Sequence, residues 1–393
     1  MDKKKVFFIG ALHFFVDINA GFFAVYMVIA GLDPMKAALI SSISNLAGNG
    51  IQPLLGFWTD RIRGKMPIFL SVLIGSIIMS SIGLTKDYSI LYVLMIVGTI
   101  FLSLFHPAGS NIASAAGLQR KERGFAIFIT IGTLGFALSQ PYFSGVTSLL
   151  GNRLSIVLAL PAVVLAFGYL LFSRMEISGP EQRINLKEIR RILQGRKGII
   201  LLLFAVMVLR HGFIMTLGFF IAKIFADWGF QRFTYSIVAT VYSITGALGM
   251  LISGYMAHRI KTKSIILVSL IGYIPFFIIL IAAGQAGSLA LALPALAITG
   301  FILQLSHVPI IVMGHRLLPE GTSTISGVLL GFAWAIGRLV QPIAPACADF
   351  FSWAPGISSG LIVLTSFMFA AMLLSLLLPA RLDSQGTDSH GRT

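Results

Sequence analysis

Charge is what this sequence has least of. Asp, Glu, Lys and Arg make up 11% of its 393 residues, against the roughly 25% usual in a soluble domain. Acid is the scarcer sign, with 14 Asp and Glu against 29 Lys and Arg, so any site that needs a carboxylate has few to draw on. The single cysteine, Cys347, excludes an internal disulfide and any cysteine metal cluster. No nucleotide-binding glycine loop, zinc-protease helix or appended soluble domain is visible, which argues against an enzyme and implies no cofactor. What remains is apolar: 56% of the residues are hydrophobic and the mean hydropathy is +0.91.

Crossing a bilayer takes roughly 20 apolar residues in a helix. Twelve runs are long enough: 6–30, 36–57, 66–84, 89–117, 122–150, 154–173, 198–226, 232–257, 264–284, 288–314, 322–350 and 355–380. The net charge of +15 follows their alternation. Lys3 to Lys5, Arg61, Arg63 and Lys65, Arg120, Lys121 and Arg123, Arg183 to Lys197, Arg259 to Lys263 and Arg316 all fall on one side. The other side holds only Lys36, Lys86, Arg153 and Arg232. This positive-inside pattern places both termini in the cytoplasm and makes the surplus charge a matter of topology, not of nucleic-acid binding. The Lys-rich start reads as the first span and not as a cleaved signal, since the run is long and contains His13 and Asp17.

The second half echoes the first. Gly56-Phe-Trp-Thr-Asp60-Arg61-Ile62-Arg63-Gly64-Lys65 recurs at Gly254-Tyr-Met-Ala-His258-Arg259-Ile260-Lys261-Thr262-Lys263, a shift of 254 − 56 = 198. The same shift carries His13 onto His211, and a shift of 201 carries His106 onto His307 and Gln140-Pro141 onto Gln341-Pro342. Polar residues repeated between two apolar halves describe a transporter with a path between them. The expected fold is all-α, with twelve transmembrane helices in two pseudo-symmetric six-helix bundles. Residues 1–173 form the first bundle and 198–380 the second. Residues 174–197 form a cytoplasmic linker with a basic interfacial helix, and 381–393 a disordered tail.

Few polar groups lie at membrane depth. Asp17 is the one acidic residue well inside a span, Arg210 and Arg338 are embedded, and four of the seven histidines (His13, His106, His211 and His307) occupy spans related by the repeat. Facing lipid, the three charged groups together would cost about 8–10 kcal/mol, so they should face a wet cavity or one another. His13 and Asp17, at i and i+4, share a helix face and are expected to carry the coupled proton, although mutual satisfaction alone would also explain the pair. His106, His211, His307, Arg210, Arg338, Gln140 and Gln341 are the expected substrate-binding residues. Gly132 and Gly135 read as close-packing devices, and Phe14, Phe15, Phe22, Phe23, Tyr26 and Trp334 as packing or lipid-facing side chains. Asp60 and Arg61, after Gly56, suit a cytoplasmic latch that opens and closes.

Gly56…Asp60-Arg61…Gly64-Lys65 resembles the loop motif of the major facilitator superfamily, with one extra residue between Arg61 and Gly64. His13-Phe-Phe-Val-Asp17-Ile-Asn19, Gln52-Pro-Leu-Leu-Gly56 and Leu104-Phe-His106-Pro107-Ala-Gly-Ser110 resemble the fosmidomycin-resistance family of proton-driven exporters. Phe332-Ala-Trp-Ala-Ile-Gly337 is similar more loosely, because Arg338 stands where that family keeps a small residue. The resemblance implies that the first, fourth, seventh and tenth spans line the cavity and that two halves rock to give alternating access. It also implies a monomer in the inner membrane, with antibiotic efflux by antiport against protons. Two substrate classes compete. Arg210 and Arg338 suit a small organic anion such as a phosphonate, exported or imported. His13, Asp17, His106, His211 and His307 form a donor set for a divalent transition metal, which the two embedded arginines would repel unless both are paired elsewhere.

Overall fold

The computed structural model describes residues 2–52, 54–55, 64–117, 121–173, 175, 197–256, 260–317, 325 and 327–379. All regular elements of any length among them are helices: α1 (Lys3–Ala20), α2 (Phe22–Ala30), α3 (Pro34–Asn49), α4 (Met66–Ser80), α5 (Tyr88–Ala116), α6 (Lys121–Leu150), α7 (Leu160–Phe172), α8 (Lys197–Asp227), α9 (Arg232–Met256), α10 (Thr262–Ile271), α11 (Ile274–Gln285), α12 (Leu289–Gln304), α13 (His307–Leu317), α14 (Ala333–Gly337), α15 (Ile343–Ala346) and α16 (Ile357–Leu376). Ten helical stretches among the described residues are long and apolar enough to cross a membrane. The other two expected spans, 36–57 and 322–350, include undescribed residues, and what is described of them forms shorter helices. The expected interfacial helix of the linker, the motif residues Gly56, Asp60 and Arg61, and the tail 381–393 lie outside the described residues.

Local chemistry sets the helix ends. Asp2, Asp33 and Asp87 each accept from the backbone N–H three residues on, at Lys5, Lys36 and Ile90, and so start α1, α3 and α5. That bond holds the Asp2 carboxyl below the usual aspartate range. Pro34 at the first position of α3 has no N–H to leave orphaned. Gly31 ends α2 in the left-handed region (φ 66°), and Leu32 N–H closes the turn on Met27 O at 2.9 Å. Large apolar side chains such as Leu149, Phe172, Phe233, Leu251 and Leu377 are exposed. A water-soluble protein would bury them, and a bilayer favours them outside.

The chain divides into two compact units, residues 1–183 with 220–240, and residues 184–219 with 241–393. In the first, α1 packs between α6 and α5. Asn19 of α1 donates to Phe15 O (2.6 Å) and Ser76 Oγ (3.4 Å) and accepts from Ser80 Oγ (2.9 Å), which ties α1 to α4. The start of α9 belongs to this unit: Arg232 donates to Ser144 Oγ, Ser144 O and Thr147 Oγ1 of α6, at 3.0, 3.0 and 2.5 Å. In the second unit, α12 breaks after Gln304, and the chain restarts as α13 at His307.

Candidate functional site

Two clusters of buried polar groups stand out, one in each unit. The first is built on α1, where four-residue spacing sets His13 and Asp17 on one face. His13 Nε2 lies 3.2 Å from Asp17 Oδ2. From α5, His106 brings its Nε2 to 3.7 Å from Asp17 Oδ1. The α6 backbone comes close enough for His13 Nδ1 to meet Phe128 O at 2.9 Å. Glycine permits this approach, since a Cβ at Gly132 would stand 2.6 Å from His13 Nε2, and one at Gly135 would stand 2.8 Å from the carbonyl carbon of Phe14. The His13 ring stacks on Phe128 (centroids 3.9 Å, 19°) and tilts against Phe105 at 5.6 Å.

This arrangement dictates a protonation pattern. A carbonyl oxygen only accepts, so Nδ1 of His13 carries a hydrogen and Nε2 is the remaining site. Nε2 points at a carboxylate oxygen, which also accepts. A proton must sit between them, or two lone pairs face each other at 3.2 Å. The histidine is almost wholly buried, whereas the side chains of Asp17 and His106 keep 18% and 31% of their surface accessible. The pair is therefore held from behind and reachable from the front.

The second cluster is centred on Trp334 of α14. His211 of α8 stacks on its ring (4.6 Å, 8°), and His307, the first residue of α13, tilts against it at 5.5 Å. Gly212 and Gly337 let α8 and α14 meet, with a Cβ at Gly212 standing 3.0 Å from Gly337 O. His211 Nε2 and Trp334 Nε1 are buried and have no hydrogen-bond partner among the described residues. Unfilled buried groups of this kind carry a cost that a ligand removes by bonding to them. Arg338 lies within electrostatic range of His211.

Arg210 is adjacent in sequence but differently employed. Its guanidinium donates to Ser306 Oγ (2.5 Å), Leu303 O (2.9 Å) and Gln304 Oε1 (2.9 Å), where α12 ends. Open carbonyls and the negative helix terminus attract a cation there. Its Nη1 lies 3.8 Å from Met207 Sδ, one turn back on α8. Gln341 donates to Met215 O at 3.4 Å, and Gln140 Oε1 is buried without a partner among the described residues. His13, Asp17 and His106 have ligand atoms within 4.8 Å of one another, whereas His211 and His307 gather around Trp334 in the other unit.

Some participants escaped the sequence reading. Trp334, expected as packing, stands against both His211 and His307. A ladder runs from Asn45 through Asn49 of α3 to Gln52 beyond its end, at 3.1 Å per step, and Ser103 of α5 donates to Asn49 Oδ1 at 3.2 Å. Amide side chains at positions 45, 49 and 52 of an apolar run were the available signal.

The sequence profile described as the Major Facilitator Superfamily matches residues 6–342. Over 334 residues the chain is 27% identical to the fosmidomycin resistance protein of Escherichia coli (strain K12), covering 80% of this chain and 78% of that one. It is 30% identical over 140 residues to the uncharacterized MFS-type transporter YfnC of Bacillus subtilis (strain 168), covering 36% of this chain and 32% of that one. The match thus spans about a third of the length of the Bacillus relative. In fold it is similar to a bacterial homologue of the human lysosomal transporter Spinster (TM-score 0.80, 16% identity, 97% of both chains). It is also similar to the nucleoside transporter NupG (TM-score 0.76, 14% identity, 96% of this chain and 98% of that one).

Proposed function

The chain belongs to the Major Facilitator Superfamily, and within that family of multi-pass membrane transporters we propose that it is a proton-coupled exporter of a small organic anion. The single observation that carries this reading is the unequal fate of a duplicated histidine pair. His13 and His106 recur as His211 and His307. The carboxylate does not recur, because 17 + 198 = 215 is Met215. The first cluster therefore keeps an acid–base pair with room for a proton. The second has replaced the acid with Trp334, unfilled N–H and imidazole groups, and Arg338 near them. A proton site and an anion site have diverged from one ancestral arrangement.

In this scheme substrate meets Trp334, His211 and Arg338 when the cavity is open to the cytoplasm. An oxyanion takes hydrogen bonds from the indole N–H and the guanidinium. A proton arriving from outside binds between His13 and Asp17, with His106 as the exposed entry. Its arrival removes a buried charge from the first bundle and favours the other orientation of the two six-helix halves, with Asp60 and Arg61 as the cytoplasmic latch. The chain acts as a monomer in the inner membrane with both termini cytoplasmic, in keeping with its basic loops. The likeness to the E. coli fosmidomycin resistance protein favours phosphonates and efflux.

Reconstituted Asp17→Asn protein tests this directly. Uphill movement of a phosphonate driven by a pH gradient should vanish, while exchange of labelled for unlabelled substrate across the membrane persists. Gradient-driven accumulation that survives the substitution would remove Asp17 from the coupling step.

A further inference from the structure

The gap between His13, Asp17 and His106 has the dimensions and donor chemistry of a second kind of site. We propose that these three residues form a binding site for a divalent transition metal of the Zn²⁺ class, with one coordination position open to solvent.

Three features of the cluster support it. The donor set is two imidazoles and one carboxylate, suited to Zn²⁺, Fe²⁺, Ni²⁺ or Cu²⁺ and ill suited to Mg²⁺ or Ca²⁺. The spacing fits. With bonds of about 2.0–2.1 Å, tetrahedral ligands stand roughly 3.3 Å apart; His13 Nε2 and His106 Nε2 lie 3.2 and 3.7 Å from the two oxygens of Asp17, and one ligand atom from each residue lies within 4.8 Å of the others, so side-chain rotation that draws them together seats the ion. The ring behind the site is already fixed as metal-binding histidines usually are, with the outward nitrogen bonded to a backbone carbonyl, here Phe128 O at 2.9 Å. That bond commits His13 Nδ1 as donor and leaves Nε2 as the ligand atom. The stack on Phe128 and the lack of a side chain at Gly132 hold the ring in place.

Three protein ligands with a partly exposed face make an open site, not the closed four-ligand kind that supports folding. An ion here would bridge α1 and α5. The site does not depend on the transport reading, because it rests on ligand geometry alone.

The test uses full-length, untagged protein in detergent. Calorimetric titration with Zn²⁺ should give one equivalent, and bound Zn²⁺ should raise the unfolding temperature through preferential binding to the native state. Pulsed electron paramagnetic resonance of the Cu²⁺ form should detect two imidazoles. His106→Gln and Asp17→Asn should each weaken Zn²⁺ by ~10- to 100-fold, the loss usual for a disturbed metal shell, and His106→Gln should leave one imidazole on Cu²⁺. His315→Gln should leave all three readouts unchanged. Binding that persists undiminished in His106→Gln, binding lost in His315→Gln, or no binding by the folded wild-type protein would each overturn the site. Because no transport is measured, failure here leaves the proton scheme standing, and failure of that scheme leaves the metal site standing.

Discussion

Gly132→Ala is a one-carbon perturbation aimed at the geometry that makes His13 useful. The added Cβ would stand 2.5 Å from Nδ1 and 2.6 Å from Nε2 of His13, well inside the separation of about 3.5 Å at which nonbonded atoms rest. The ring has little room to yield. Phe128 lies against one face at 3.9 Å, Phe105 is beside it at 5.6 Å, and its Nδ1 is tied to Phe128 O. Overpacking of a well-filled site costs about 1–3 kcal/mol, and here the cheapest relief is to swing the imidazole away from Asp17. The energy therefore appears as misalignment of the proton site, roughly a 5- to 150-fold fall in the aligned population. Gly135→Ala is the control. Its Cβ meets the backbone of Phe14 and not the histidine, so relief requires α1 and α6 to part. Gradient-driven phosphonate transport and thermal unfolding would be measured for both variants in parallel. Gly132→Ala should lose most transport with a small change in unfolding temperature, and Gly135→Ala should lose stability first. Equal losses of stability with transport per folded molecule intact in Gly132→Ala would refute the reasoning.

Trp334→Leu keeps apolar volume but removes the indole N–H, and the substrate concentration for half-maximal transport should rise by about tenfold, the equivalent of one lost hydrogen bond to an anion. Arg210→Ala strips three bonds from the end of α12 and should destabilise the protein by about 3 kcal/mol in reversible unfolding. Ser80→Ala removes the donor to Asn19 Oδ1 and should cost about 1 kcal/mol. At the N-terminus, the lowered carboxyl of Asp2 means its cap acts fully above the ordinary aspartate range and is lost as pH falls through the lowered value. The protection factor of the Lys5 amide, its exchange rate relative to the unstructured chain at the same pH, should therefore fall in acid, and a protection factor constant through that range would remove the cap.

Much of the fold was legible in the sequence because a bilayer imposes a simple rule: long apolar runs become helices, and basic loops stay inside. His13 and Asp17 were legible for a similar reason, since i,i+4 spacing on a helix needs no tertiary knowledge. The position of Arg210 was not. Sequence marks it as a buried charge beside His211, but what answers that charge is the carbonyl terminus of a helix nearly a hundred residues away. Nothing in the apolar run 288–314 announces that it breaks at Leu305 and Ser306. Trp334 was legible as a packing aromatic, as most aromatic residues in membrane helices are, but not as the partner of His211. Its stacking on His211 depends on a close approach of Gly212 and Gly337 that composition alone does not reveal.

The division of labour between the two clusters is tested most directly by proton flux into pyranine-loaded proteoliposomes, recorded against fosmidomycin concentration for wild type, Asp17→Asn and Trp334→Leu. The expected result is a flat trace for Asp17→Asn at every concentration, and for Trp334→Leu the full wild-type amplitude reached at about tenfold more substrate. Full flux in Asp17→Asn, or two variants that fail in the same way, would contradict a proton site in one unit and an anion site in the other.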